Sequence, residues 1–444
     1  MIRAGAAEVD ITPGIGRNVP GQWLRRKAER VRDPLLVNAL VLDVDGERVA
    51  LVSADVLSLK NRVVAEARNL ILDLAGIPPT HVFLAATHTH TGAPVVDVLG
   101  TEADPEVLST FPDAIAAAVA GASDRLRPAR VATWSGIAPN LAFPRRFHML
   151  DGTARTHAPK GSRETLNAED EADPTLAGLH VWDECGELIG ACVNFACHPI
   201  VVGGASFYSA DYPDAVRRCL KRMYGPQATV LYLNGPCGDV GPDNVKDPSR
   251  FRYGEEWVDR IGFGIGGHAI GLASLADAGD DLVLTATGER VRLGLRAVPD
   301  LYLRKAEKAL TEADLAIPPQ DFDLIRLREY ALLNRERREC DTVDAEIAAL
   351  RIGDAAIVGL PGEIFAAFGR QIRAASPFRH TLVVELANGC HGYVPARQAF
   401  RGGGYETWLA RSSKLVPEAG ERMVECATAL LREIAPTAPQ ADLP

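Results

Sequence analysis

The chain has little of what would place it in a membrane, a nucleic-acid complex or an oxidised compartment. No apolar run approaches the roughly 20 residues that a spanning helix needs. Lys and Arg number 48 against 58 Asp and Glu, a net charge of −10, so no basic excess exists to neutralise phosphates or an anionic bilayer. The N-terminus, MIRAGAAEVDITPG, holds no apolar core of signal-peptide length; it reads as a first strand ended by Pro13-Gly14. The cytoplasm is therefore the expected compartment. The eight cysteines form no Cys-x-x-Cys pair, and several sit in apolar patterns, so they read as reduced thiols. Cys197 and Cys390 each precede a histidine, His198 and His391. Adjacent strand residues point to opposite faces, which makes such neighbours poor nucleophile–base pairs.

What is present is an ordinary globular composition: 444 residues, 47% hydrophobic and 24% charged. The pattern along the chain predicts an α/β fold, a mixed β-sheet with surrounding helices. Residues 1–434 read as one catalytic domain, and the Pro/Ala-rich 435–444 as a disordered tail. A hairpin–helix–strand unit is expected three times. The first runs from LVNALVLDVDGERVALVSAD through a helix to HVFLAA and the loop THTHTGAP. The second runs from LHVWDECGELIGACVNFACHP to ATVLYL and NGPCGDVGPDN, and the third from AEIAALRIGDAAIVGLPGE to TLVVELA and NGCHGYVPA. A Gly-acid or acid-Gly turn marks each hairpin, and a helix between strands implies a parallel crossover. Chance similarity among α/β units is the competing account of this threefold repetition. Asp55, His198 and Glu363 would follow the hairpins; His88/His90, Asn234/Asp239 and His391/Tyr393 would follow the later strands. Ligands bind beyond the carboxyl ends of strands in such sheets, so these residues would share one edge.

The remaining segments carry less. Leu301 to Arg338 reads as two charged amphipathic helices separated by IPPQD, a lid or edge subdomain. GFGIGGHAIGLAS, from Gly262, follows no clear strand and reads as close helix packing, not a phosphate loop.

The chemistry concentrates in HVFLAATHTHTGAPV. Alternate strand residues share a face, so His88 and His90 at a strand end would aim two imidazoles at one point. Imidazole suits zinc. A hydrogen-bonded histidine pair is the plainer alternative. His198 in NFACHPIVVGG would bring a third imidazole, or be a satisfied structural histidine. Glu363 in LPGEIF sits where a helix should begin, which capping alone would explain. Tyr393 is by default a core or rim tyrosine. Asp55, Asn234 and Asp239 could support the histidines, since ligand imidazoles usually donate their other N–H; capping of loops is the alternative for both aspartates. Arg145 and Arg146 could grip a substrate carboxylate, or be an exposed charge pair.

Five motifs together resemble the neutral (alkaline) ceramidases, zinc amidases that split an N-acyl bond. They are THTHTG, NFACHP followed by SADYP, NGPCGDVGP, LPGE, and a tyrosine before a polar run ending in a second tyrosine. The resemblance covers about the first nine-tenths of the chain and corresponds to the family's catalytic domain. It implies one zinc held by His88, His198, Glu363 and Tyr393, with His90 facing the zinc-bound water. It makes Tyr405 the tyrosine on the substrate carbonyl, and Arg145 or Arg146 a substrate-binding arginine. Zinc-bound hydroxide would attack the amide carbonyl, His90 would move the proton, and Tyr405 would support the oxyanion. Family members acting on ceramide are typically exported and carry a further β-sandwich domain. Neither is visible here, so a small soluble amide or N-acyl substrate is expected rather than ceramide, and the second metal site of such enzymes is not predicted. A zinc esterase or lactonase would use the same site, and a non-catalytic binding homologue the same scaffold. No nucleic-acid partner is expected.

Overall fold

The computed structural model describes residues 2–436. From residue 437 onward the expected tail lies outside the described residues. Among the described residues no helix is long and apolar enough to cross a membrane.

The first hairpin shows how the sequence builds the fold. β1 (Ile2–Asp10) pairs antiparallel with β2 (Leu36–Val44), which turns at Asp45-Gly46 into β3 (Glu47–Ala54). Both turn residues have positive φ, 52° and 93°, the geometry that Asp-Gly favours. Side chains alternate along β2: Val37, Ala39 and Val41 face one apolar core, Leu40 and Leu42 another. α1 (Asn61–Ala75) buries Val63, Val64, Ala67 and Ile71 on one face. It ends at left-handed Gly76, whose N–H closes on Leu72 O at 3.0 Å. β4 (Val82–Ala86) then returns parallel to β3.

α2 (Pro105–Ser123) leads to β5 (Arg127–Ile137). A second hairpin, β6 (Thr175–Asp183) and β7 (Leu188–Phe195), is followed by α3 (Tyr212–Tyr224) and by β8 (Thr229–Asn234), parallel to β7. These strands form one mixed sheet of eight, in the order β8-β7-β6-β5-β1-β2-β3-β4. α4 (Glu255–Ala273) packs on α3 through its glycines: a Cβ at Gly262 would sit 2.3 Å from that of Ala215. The Gly-rich stretch is thus a helix-packing face, as its lack of a leading strand suggested.

The rest builds a second, four-stranded sheet, β9 (Leu284–Gly294), β10 (Thr342–Ile352), β11 (Ala355–Leu360) and β12 (His380–Glu385). β10 and β11 form the third hairpin, and α8 (Ala366–Ala375) crosses to β12, parallel to β11. Antiparallel-then-parallel pairing therefore occurs in all three segments, but the third lies in its own sheet. Leu40, Phe83 and Leu231 of the large sheet share a core with Leu350, Ile357 and Leu382 of the small one. α1 to α4 pack against the large sheet's other face, while α8 and α9 (Ala419–Glu433) pack against the small sheet.

Between β9 and β10 the expected two helices are three: α5 (Asp300–Ala309), α6 (Glu312–Ala316) and α7 (Phe322–Glu339). The extra turn is nucleated by Thr311 and Asp314, which cap each other's backbone reciprocally. This insertion has a small core of its own around Val298, Tyr330 and Leu333.

Candidate metal centre

Parallel pairing puts the ends of β3 and β4, of β7 and β8, and of β11 and β12 in register, Ala54 with Ala86, Phe195 with Asn234, Leu360 with Glu385. The loops beyond them converge. His88 and His90 reach the centre by a route the sequence pattern did not predict. β4 stops at Ala86, and His88 lies past it with φ +70°. The left-handed turn, not strand alternation, swings its ring inward, at a cost on the order of 1–2 kcal/mol. That strain is held by the His88 N–H on Val56 O, 3.1 Å.

His88, His90 and His198 are all buried, and one ligand atom of each lies within 4.8 Å of the others. Their orientation is set by carbonyls. His88 Nδ1 is 2.7 Å from Leu57 O, His90 Nδ1 2.6 Å from Gly21 O, and His198 Nδ1 3.3 Å from Cys237 O. A carbonyl only accepts, so in each neutral ring Nδ1 carries the proton and Nε2 presents a lone pair. His88 Nε2 and His198 Nε2 face one another at 3.0 Å, and His90 Nε2 has no partner. Glu363 Oε2 lies 3.4 Å from His88 Nε2 and is likewise buried without a hydrogen bond. Converging lone pairs beside an orphaned carboxylate oxygen are what a cation would satisfy. An N/O donor set of this kind, free of thiolate, fits zinc.

Glu363 is not at a helix N-terminus as expected. It lies in the two-residue strand Glu363–Ile364, paired in parallel with Tyr393–Val394, and α8 starts three residues later at Ala366. Glu363 and Tyr393 are direct register partners, which places the phenol beside the carboxylate. Burial, then the Glu363 charge, push the Tyr393 hydroxyl well up; Arg145 pulls the other way. Tyr405 stands next, its ring 5.5 Å from that of Tyr393, and burial raises its hydroxyl too. Burial drives His90 and His198 well below the ordinary imidazole range. In His88 burial acts the same way, but the nearby Glu363 charge outweighs it and the net shift is upward.

The two arginines are not an exposed pair. Arg146 is 1% exposed and gripped by Glu169 and Glu406, each at 2.6 Å. Its guanidinium is thereby taken, so a substrate carboxylate is not its partner. Arg145 donates to Gly238 O (2.7 Å) and Tyr393 Oη (3.0 Å), with Nε 3.0 Å from Glu406 Oε1. It faces the centre with one N–H on the phenol oxygen.

The expected carboxylate support of the histidines gives way to the carbonyls of Leu57, Gly21 and Cys237. Asp55 instead binds Arg217 (2.8 Å) and the Leu36 N–H (2.8 Å), locking α3 to the first hairpin. Asp239 accepts the Ala366 N–H at 2.8 Å and caps α8; burial raises its carboxyl to about 7. Asn234 donates to Glu385 Oε1 at 3.2 Å.

Glu385 and Glu406 escaped the sequence reading. Glu385, fully buried, accepts the N–H groups of Cys237 and Ile364 and ties the NGPC loop to the LPGEI loop. A lone carboxylate inside the apolar run TLVVELA was a signal for it. Gly21 left none: its role is its carbonyl, its φ is +99°, and a Cβ there would meet His90 Nδ1 at 2.8 Å.

No protein-family model matches the chain, and no curated protein matches it. The fold is that of neutral ceramidase. The crystal structure of neutral ceramidase from Pseudomonas aeruginosa matches all of this chain and 76% of its own length, with a TM-score of 0.73 and 21% identity. A structure of ceramidase complexed with C2 matches all of this chain and 77% of its own, at TM-score 0.73 and 20% identity.

Proposed function

We propose that this chain is a zinc-dependent amidohydrolase that cleaves the N-acyl bond of a small soluble amide. The observation that carries the reading is the convergence of three Nε2 lone pairs beside the unpartnered Glu363 oxygen. His88, His198, Glu363 and Tyr393 would hold one zinc ion per chain. When bound, zinc supplies a Lewis acid and can bring the pKa of a water from 15.7 to about 7.

The protein's own groups do the rest. His90, kept neutral by burial and fixed by Gly21 O, presents Nε2 to take a proton from the attacking water. The same nitrogen returns that proton to the leaving nitrogen, so amide and water give acid and amine. Tyr405, kept protonated by burial, donates to the carbonyl oxygen as negative charge develops there. Arg145 holds the Tyr393 oxygen and offsets the negative charge of the ligand set. The shared fold with neutral ceramidase supports amide hydrolysis over other uses of such a site.

The test is metal content of the purified protein together with hydrolysis of an N-acyl panel before and after chelation. One zinc per chain, with activity lost on chelation and restored by zinc, is the expected result. Metal that survives in the His88→Ala/His198→Ala double variant would overturn the ligand set, and a zinc-loaded protein cleaving only esters would replace the amide reading.

A further inference from the structure

A cavity of about 280 Å³ reaches His88 and Glu363 from beneath α7. Drug-sized ligands occupy pockets of roughly 300–1,000 Å³, so this space suits a short group. Its wall carries three cations and three carboxylates besides Glu363. Arg411 binds Glu329 at 2.7 Å, Lys414 pairs with Glu336, and Lys60 with Asp97. Glu329 and Glu336 are seven residues apart on α7 and so share the face of the helix that looks into the cavity. Glu329 is 3% exposed and Lys414 12%, so these two are set into the wall, while Lys60 at 44% and Asp97 at 45% form its outer, solvated edge.

The insertion is also anchored at its other end. Phe322, at the start of α7, lies 4.3 Å from Trp23, and Trp23 lies 5.9 Å from Tyr405 and 6.0 Å from Trp408. Gln320 accepts the Arg25 N–H at 2.7 Å and donates to Gly100 O at 3.1 Å. α7 is thereby fastened over the site at both ends.

We propose that this charge-paired cavity admits the end of a short, polar amide and excludes long apolar acyl chains, with Lys60, Asp97, Glu329, Glu336, Arg411 and Lys414 as the specificity wall. An alkyl chain laid along it would desolvate the partly exposed charges of Lys60, Asp97, Glu336 and Arg411 and give them nothing in return, whereas a charged end group can bond the member of opposite sign in a pair. This rests on the amidohydrolase reading above.

The experiment measures binding of hydroxamates, which direct themselves to the metal, to the zinc-loaded full chain. Calorimetry compares succinyl monohydroxamate, 4-aminobutanoyl hydroxamate and decanoyl hydroxamate, and turnover compares the matching N-acyl amides. The tighter of the two charged probes should exceed the decanoyl one at least tenfold. The variant Lys60→Met/Asp97→Leu, at the outer pair, should narrow that ratio at least fivefold with zinc content unchanged. Equal or tighter binding of the decanoyl probe to the wild type overturns the cavity's role while leaving the amidohydrolase standing. Zinc retained with no hydroxamate bound and no amide cleaved overturns the amidohydrolase reading, and the substrate class falls with it.

Discussion

His88 and His198 meet Nε2 to Nε2 at 3.0 Å, each with its Nδ1 already committed to a backbone carbonyl. In their neutral forms neither ring has a proton for the other, so the contact is then two lone pairs in a buried space. A bound cation converts that repulsion into coordination. Zinc should therefore raise thermal stability as well as activity: a ligand at a hundred times its Kd adds about 2.7 kcal/mol. Scanning calorimetry of the chelated and zinc-loaded protein should show a higher Tm with zinc, and no shift in His88→Ala/His198→Ala. A Tm indifferent to zinc in the wild type sinks the coordination argument.

Tyr405 stands beside Tyr393 with a hydroxyl that burial keeps protonated. Losing one donor to a developing oxyanion typically costs about 2.7–4 kcal/mol of barrier. Tyr405→Phe should slow kcat by roughly a hundredfold or more with zinc content unchanged. Wild-type turnover in that variant removes the residue from the reaction.

Arg146 joins Glu169 and Glu406 in a buried network, and Glu406 also faces Arg145. The arginines hold the Glu406 carboxyl below its usual range against the opposing effect of burial. Removing one partner of a buried pair strands the other, at about 3–5 kcal/mol. Arg146→Ala should therefore lower stability to denaturant by that order. A variant of wild-type stability with only a raised KM would restore Arg146 as a substrate contact.

How much of this was legible follows from the range of the interactions involved. The three hairpins announce themselves through Asp45-Gly46 and its counterparts, and the alternation in β2 marks a strand with two buried faces. His88, His90 and His198 stand out because imidazoles at strand ends are chemically distinctive. Their support was not legible. Gly21 and His90 are 69 positions apart, and Cys237 and Glu385 148 apart, so no local pattern links them. The expectation of aspartate support failed because the carbonyls of Leu57, Gly21 and Cys237 are anonymous in a sequence. The burial of Arg145 and Arg146 was equally hidden, since Glu406 lies 260 positions from Arg146. That the third hairpin forms a separate sheet goes with the core that Leu40 and Phe83 share with Ile357 across the two sheets, which strand periodicity does not encode.

One histidine far from the centre makes stability depend on pH. His180 is fully buried on β6; Trp134 Nε1–H donates to its Nδ1 at 3.0 Å, and Nε2 has no hydrogen-bond partner. Burial lowers its pKa to about 3, while the unfolded chain titrates it near 6.5. Below about 6.5 the unfolded state binds a proton that the folded state refuses. The stabilisation is thus complete above 6.5 and is lost as pH falls towards 3, reaching about 2 kcal/mol at pH 5 for this group alone. His157 and His391, each lowered to about 4 by burial, act in the same direction. Urea denaturation at pH 7.5 and pH 5 should show the wild type losing more stability than His180→Gln, which removes the titrating ring. Equal losses in both proteins would mean that His180 takes up its proton without unfolding.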